Sequence, residues 1–111
     1  MDITLYGIPT CDTCKKAMRA LSDAGHTVTL RDLRAPPLSL DEWAPLITEF
    51  GDRLVNRNST TYRGMSDWLK ASEVEAQLEA HPTAMKRPVI DAGGVLYLGW
   101  GSDVQAELLN S

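Results

Sequence analysis

Ile3-Thr4-Leu5-Tyr6-Gly7-Ile8-Pro9-Thr10-Cys11-Asp12-Thr13-Cys14 is a short β-type run, a glycine–proline turn, and a C-x-x-C pair that opens a helix. Both cysteines of the chain lie in this stretch. At a helix N-terminus the unpaired backbone N–H groups and the helix dipole favour an anion, so a thiol held there tends to ionise. Lys15, Lys16 and Arg19 follow within two turns and add positive charge. A thiolate is the nucleophilic form of cysteine, so the pattern points to redox chemistry at Cys11.

Working outward, Cys14, Ala17, Met18 and Leu21 recur at the three- and four-residue spacing of one apolar helix face, and Gly25 is placed to end that helix. Thr27 to Asp32 reads as a second strand with Val28 and Leu30 on one face. A strand, a helix and a strand in about thirty residues make a βαβ unit with parallel strands. Pro36 and Pro37 then interrupt the chain. Ser39 and Glu42 predict a capping box before a helix carrying Trp43, Leu46, Ile47 and Phe50, closed by Gly51. Leu54 to Arg63 is polar, basic and without a clear period. Ser72 with Glu75 predicts another capped helix, containing Val74 and Leu78 and ending at His81-Pro82. Trp43 and Trp68 are expected to pack within this helical segment, whereas Trp100 either borders a cleft or packs in the core.

Pro88 to Asp91, a turn at Ala92-Gly93-Gly94, and Val95 to Leu98 read as a β-hairpin. Ser102 with Gln105 predicts a third capping box, opening a final helix with Val104, Leu108 and Leu109. The order is βαβ, a helical insert over about 38–83, then ββα. It predicts one α/β domain over 1–111 with a thioredoxin-like, four-stranded mixed sheet.

At 111 residues the chain is long enough to bury a core without staples, and 43% hydrophobic with 23% charged residues is ordinary for a globular protein. A net charge of −4 gives no electrostatic support to nucleic-acid or anionic-membrane binding. With no apolar run of spanning length and no basic-then-hydrophobic leader, a cytoplasmic protein with no membrane partner is expected. Two cysteines three positions apart are not a disulfide framework. A structural zinc site needs about four ligands, and His26 and His81 are the only histidines, so no metal is expected. Both histidines are read as surface or cap residues.

Tyr6 to Ala17, Leu54-Val55-Asn56 through Tyr62-Arg63, Lys86-Arg87-Pro88-Val89 and Leu98-Gly99-Trp100 together resemble the ArsC family across essentially the whole chain. That family contains glutaredoxin-coupled arsenate reductases, Spx transcriptional regulators and a group of glutathione-dependent thiol reductases (YffB-like), and the resemblance is closest to the last. It implies that Cys11 is the nucleophilic thiolate, with Arg87 beside it holding an oxyanion or a glutathione carboxylate. A guanidinium suits either anion, because it is always charged and presents a forked donor set. The resemblance further implies a cis Arg87–Pro88 bond. It places Thr10, Asp12, Thr13, Lys15, Asn56, Arg57, Arg63, Lys86 and Pro88 around the substrate.

There are departures from the arsenate reductases. They lack a second cysteine where this chain has Cys14. They also use three arginines, of which only Arg87 is matched, with Asn56 near the expected place of another and Arg57 next to it. Cys14 is then either a resolving thiol or a small buried side chain. The implied chemistry is thiol–disulfide exchange, with no bound cofactor and with glutathione as co-substrate. Glutaredoxin or a small oxyanion are further implied partners. The alternatives are a genuine arsenate reductase, or an Spx-like redox sensor that binds RNA polymerase.

Overall fold

Ile3, Leu5 and Gly7 alternate with more exposed residues along β1 (Asp2–Gly7), and this period-two pattern turns one face of the strand into the core. The structure is a computed structural model that describes residues 1–109. β1 pairs in parallel with β2 (Thr27–Asp32) and antiparallel with β3 (Val89–Ala92), which in turn pairs antiparallel with β4 (Val95–Leu98). The sheet order β2-β1-β3-β4 is the four-stranded mixed sheet of a thioredoxin-like fold, as expected. The β3–β4 hairpin turns at Gly93 and Gly94, with φ of 63° and 93°, where residues with a Cβ are strained. Asp91 Oδ1 accepts the Gly94 N–H at 2.9 Å and fastens the turn.

The chain divides into two compact units, Met1–Asp32 with the residues from Arg87 onward, and Leu33–Lys86. In the first, α1 (Asp12–Asp23) buries Cys14, Ala17 and Leu21, and α6 (Ser102–Leu109) buries Val104 and Leu108. These side chains form one cluster with Ile3, Leu5, Ile90 and Ala92 from the sheet. The end of α1 is a Schellman motif: the Gly25 N–H donates to Ser22 and the His26 N–H to Leu21, with Gly25 at φ 95°. The His26 ring adds a hydrogen bond from Nε2 to the Leu108 carbonyl at 3.1 Å. This histidine therefore completes the cap and also ties the end of α1 to α6.

The second unit is built from α2 (Leu40–Phe50), α3 (Thr60–Arg63), α4 (Asp67–Lys70), α5 (Val74–Ala80) and 3₁₀ turns at Gly51–Leu54 and Pro82–Ala84. α2 starts with the expected capping box, Ser39 Oγ accepting from Glu42 N–H and Glu42 Oε1 from Ser39 N–H. Its Trp43, Leu46 and Phe50 are buried. The unpatterned stretch after Leu54 contains α3, started by Ser59, whose hydroxyl accepts the Tyr62 N–H.

Three local expectations are corrected. Ser72 does not cap α5, because its hydroxyl donates to the carbonyl of Trp68 within α4, and α5 has no side-chain cap. Ser102 and Gln105 form no capping box. The helix begins at Ser102 itself, Gln105 N–H donates to Gly101, and the Gln105 amide turns back to the Trp100 carbonyl. Trp68 does not pack in the insert: Trp43 is 1% exposed but Trp68 is 85% exposed. A four-residue helix has no second turn with which to enclose an indole.

Gln77 is the buried polar side chain of this unit, and its amide Nε2 donates to the carbonyls of Leu69, Lys70 and Ser72 at 3.1–3.2 Å. Its two N–H groups serve carbonyls at the end of the short α4 and in the turn that follows it, where intrahelical donors run out. Gln77→Leu keeps the volume but strips the donor from that cluster of acceptors. We expect a loss of about 1–3 kcal/mol in urea unfolding, the cost of leaving buried acceptors unpaired. A change below about 0.5 kcal/mol would show that solvent replaces the amide.

Candidate active site

The turn after β1 delivers Cys11 to the N-cap position of α1 with φ −78° and ψ 119°. Its sulfur makes no capping hydrogen bond of ordinary geometry, yet the Thr13 and Cys14 N–H groups of the helix start lie close enough to favour its charged form. The Cys11 N–H donates to Ile8 at 3.2 Å and its carbonyl accepts from Lys15 at 3.0 Å, which fixes the backbone on both sides of the thiol. Cys14 lies one turn on, on the inward face, 1% exposed and 3.3 Å from Cys11. Both are free thiols.

The two sulfurs are driven apart in acidity. Partial burial pushes Cys11 up, but the Cys14 N–H and thiol, the Arg87 charge and the Thr13 N–H outweigh it and hold the group below the usual thiol value. Cys14 is pushed up to about 11, first by burial and further by the sulfur of Cys11, against the opposing Ile8 N–H and Arg87. The pair is thus biased toward a thiolate at Cys11 that receives an S–H bond from Cys14, the thiol that keeps its proton.

Arg87 stands half-buried just before β3, and the bond joining it to the buried Pro88 is cis. A second cis bond, Ala35–Pro36, went unforeseen in the sequence. Cys11, Cys14, Arg87 and Thr13 therefore converge within the first unit. Thr10 and Asp12 are exposed beside Cys11, and Asp12, Lys15, Lys16 and Arg19 line a cavity of about 320 Å³ along α1.

Asn56, Arg57, Arg63 and Lys86 belong to the second unit. There Asn56 builds a turn: its Oδ1 accepts the Asn58 N–H at 3.0 Å and its carbonyl accepts from both the backbone and hydroxyl of Ser59. Arg57, Arg63 and Lys86 are exposed. Two participants escaped the sequence reading, Gly7 and the Ile8 N–H, because a glycine and a backbone donor at a strand end look like any turn. Among the described residues no group of three or more His, Cys, Asp or Glu side chains could hold a metal, and no helix is long and apolar enough to cross a membrane.

The profile of the ArsC family matches residues 6–108. The chain belongs to the ArsC family. The resemblance seen in the cysteine segment and in Lys86-Arg87-Pro88-Val89 is therefore that of a member, and the fold is the one the family's thiol-based reductases use. An uncharacterized protein of Haemophilus influenzae is 39% identical over 103 residues, covering 88% of this chain and 90% of that protein. A protein of Listeria monocytogenes named global transcriptional regulator Spx is 29% identical over 107 residues, covering 91% and 82%. Among solved structures, one named YFFB superposes with a TM-score of 0.85 at 32% identity, covering 96% of this chain and 98% of that one.

Proposed function

We propose that this ArsC-family protein is a thiol–disulfide oxidoreductase that uses Cys11 as its nucleophile and glutathione, directly or through glutaredoxin, as its reductant. The observation that carries this reading is the division of labour between two thiols 3.3 Å apart, Cys11 held below and Cys14 pushed above the ordinary thiol range. The Cys11 thiolate attacks one sulfur of a substrate disulfide, forming a mixed disulfide and expelling the other sulfur as a thiolate that takes a proton from water. A glutathione thiolate attacks the Cys11 sulfur of the mixed disulfide and expels the second substrate thiolate, leaving Cys11 joined to glutathione. A second glutathione thiolate attacks the glutathione sulfur, and Cys11 leaves as the regenerated thiolate. Two glutathiones supply the two electrons and end as glutathione disulfide.

Release by an external thiol is favoured over closure by Cys14. A mixed disulfide at Cys11 would remove the Cys11 charge that raises Cys14, but the burial that raises it most would persist. At pH 7 little Cys14 thiolate would be available to attack. Lys15, Lys16 and Arg19, which with Asp12 line the cavity along α1, supply cations suited to the two carboxylates of glutathione. With Arg87 as the matched arginine, the same site has a weaker claim on arsenate.

The test is NADPH consumption coupled through glutathione reductase, with glutathione and a small dialkyl disulfide, run in parallel with arsenate and with added glutaredoxin. Saturable, glutathione-dependent turnover is the expected result. No turnover with glutathione, with or without glutaredoxin, would reject the reading. The Spx relatives support a second reading, a redox-sensing regulator that binds RNA polymerase. A polymerase complex that forms only in one redox state, without turnover, would select it.

A further inference from the structure

Gly7 closes β1 opposite Asp32 of β2, and its φ lies in the ordinary negative range, so no turn conformation demands a glycine there. The demand comes from space. A Cβ added at Gly7 would stand 2.5 Å from Cys14 Sγ, closer than any real Cβ contact. The next neighbours, Leu5 Cδ2 at 3.4 Å and Cys14 Cβ at 3.5 Å, are at ordinary van der Waals distance. The conflict is with one atom, the sulfur of the second cysteine.

We propose that Gly7 is a positioning residue for the thiol pair: the missing side chain at the end of β1 is the seat that holds the Cys14 sulfur against Cys11. The inference rests on the reading of Cys11 as the working thiolate. Cys14 is fixed by the helix it sits on, and its sulfur has one torsion with which to move. Within a helix that torsion has two accessible wells, because the third drives the side chain into the preceding turn. With Gly7 in place, the sulfur occupies a well 3.3 Å from Cys11, with the Ile8 N–H directed to it from the adjoining peptide. A methyl group at position 7 expels the sulfur from that well. Turning to the other well removes it from both Cys11 and Ile8, so the thiolate loses its S–H donor. The glycine acts on the nucleophile without touching it.

The experiment is a cycle of Gly7→Ala and Cys14→Ala, read by iodoacetamide alkylation of Cys11 against pH, with mass-spectrometric assignment of the modified cysteine. Alkylation needs no turnover, so the result stands apart from the fate of the glutathione reading, which Cys11→Ser in the coupled assay decides. Gly7→Ala is expected to move the alkylation midpoint up and lower the rate at pH 7 about threefold or more, as fewer molecules carry the thiolate. In the Cys14→Ala background the same change is expected to shift nothing, because the atom it displaces is gone. An unchanged or lowered midpoint in the single variant would overturn the proposal, as would an equal upward shift in both backgrounds. Should Gly7→Ala fail to fold, Gly7→Ala/Cys14→Ala decides. Recovery of the fold on deleting the sulfur supports the proposal, and continued misfolding overturns it.

Discussion

Cys11→Ser is expected to abolish glutathione-dependent turnover, a loss of about a thousandfold or more, while Cys14→Ser keeps it within about tenfold of the original. A serine hydroxyl at position 11 is essentially un-ionised at neutral pH and forms no mixed disulfide, so the first bond of the cycle cannot be made. At position 14 the requirement is milder. The neutral thiol contributes a donor to the thiolate and fills a buried site, and a hydroxyl can donate in the same place. The separation of the two losses is the informative quantity. If Cys14→Ser fell as far as Cys11→Ser, closure to an internal disulfide would be obligatory and external release would be wrong. The coupled NADPH assay measures both, and near-ultraviolet circular dichroism of each variant checks that the core is intact.

The same pair makes stability depend on pH in a defined direction. Cys11 is more acidic folded than unfolded, so its contribution is present above the unfolded thiol value and lost as pH falls through the folded one. Cys14 is less acidic folded, so its contribution is present below the unfolded value of about 8.5 and lost as pH rises toward about 11. A decline in the urea midpoint between about pH 8.5 and 11 that is reduced in Cys14→Ser is the expected outcome. An identical decline in that variant would assign the effect to other groups.

What could be read from the chain alone divides along a physical line. Signals carried by adjacent residues survived: the apolar period of Cys14, Ala17 and Leu21, the Gly25 cap, the Ser39–Glu42 box, and the Gly93–Gly94 turn all appear in the structure. Each is decided within a few residues of itself. The false caps at Ser72 and Ser102 failed because Ser-x-x-Glu and Ser-x-x-Gln state only what a side chain can reach, not which carbonyl or amide competes for it. For Ser72 the competitor was Trp68, and for Gln105 it was Trp100. Gln77 was invisible for a related reason, as its acceptors lie five to eight residues back and are exposed to it only by the fold. At the candidate site, Cys11 announced itself through its helix-start position. Arg87, seventy-six residues later, was reachable only through the family resemblance, because nothing local marks an arginine before a proline as a neighbour of a thiol. Gly7 was least legible of all, since the atom that requires it belongs to the next element.

Arg87→Met is expected to slow turnover by about tenfold or more and to move the alkylation midpoint of Cys11 upward. Methionine keeps much of the apolar stem and removes the fixed charge, which isolates the electrostatic contribution from packing. Two effects then separate. Loss of the charge that favours the thiolate lowers the reactive fraction at a given pH, so raising the pH restores that part of the rate. Loss of a charge-assisted anchor for a carboxylate or oxyanion does not recover with pH and is read as a higher KM for glutathione, about 1.5–3 kcal/mol if the anchor is direct. Arg87→Lys restores the charge without the planar fork, so it should recover the alkylation profile more fully than the KM. If Arg87→Met changes only the midpoint, the arginine serves the thiolate and the glutathione carboxylates are held elsewhere, with Lys15, Lys16 and Arg19 on α1 the nearest cations on offer. If it changes only KM, the thiolate is maintained by the helix N-terminus and Cys14 alone. A variant with wild-type kinetics and an unmoved midpoint would remove Arg87 from the site altogether.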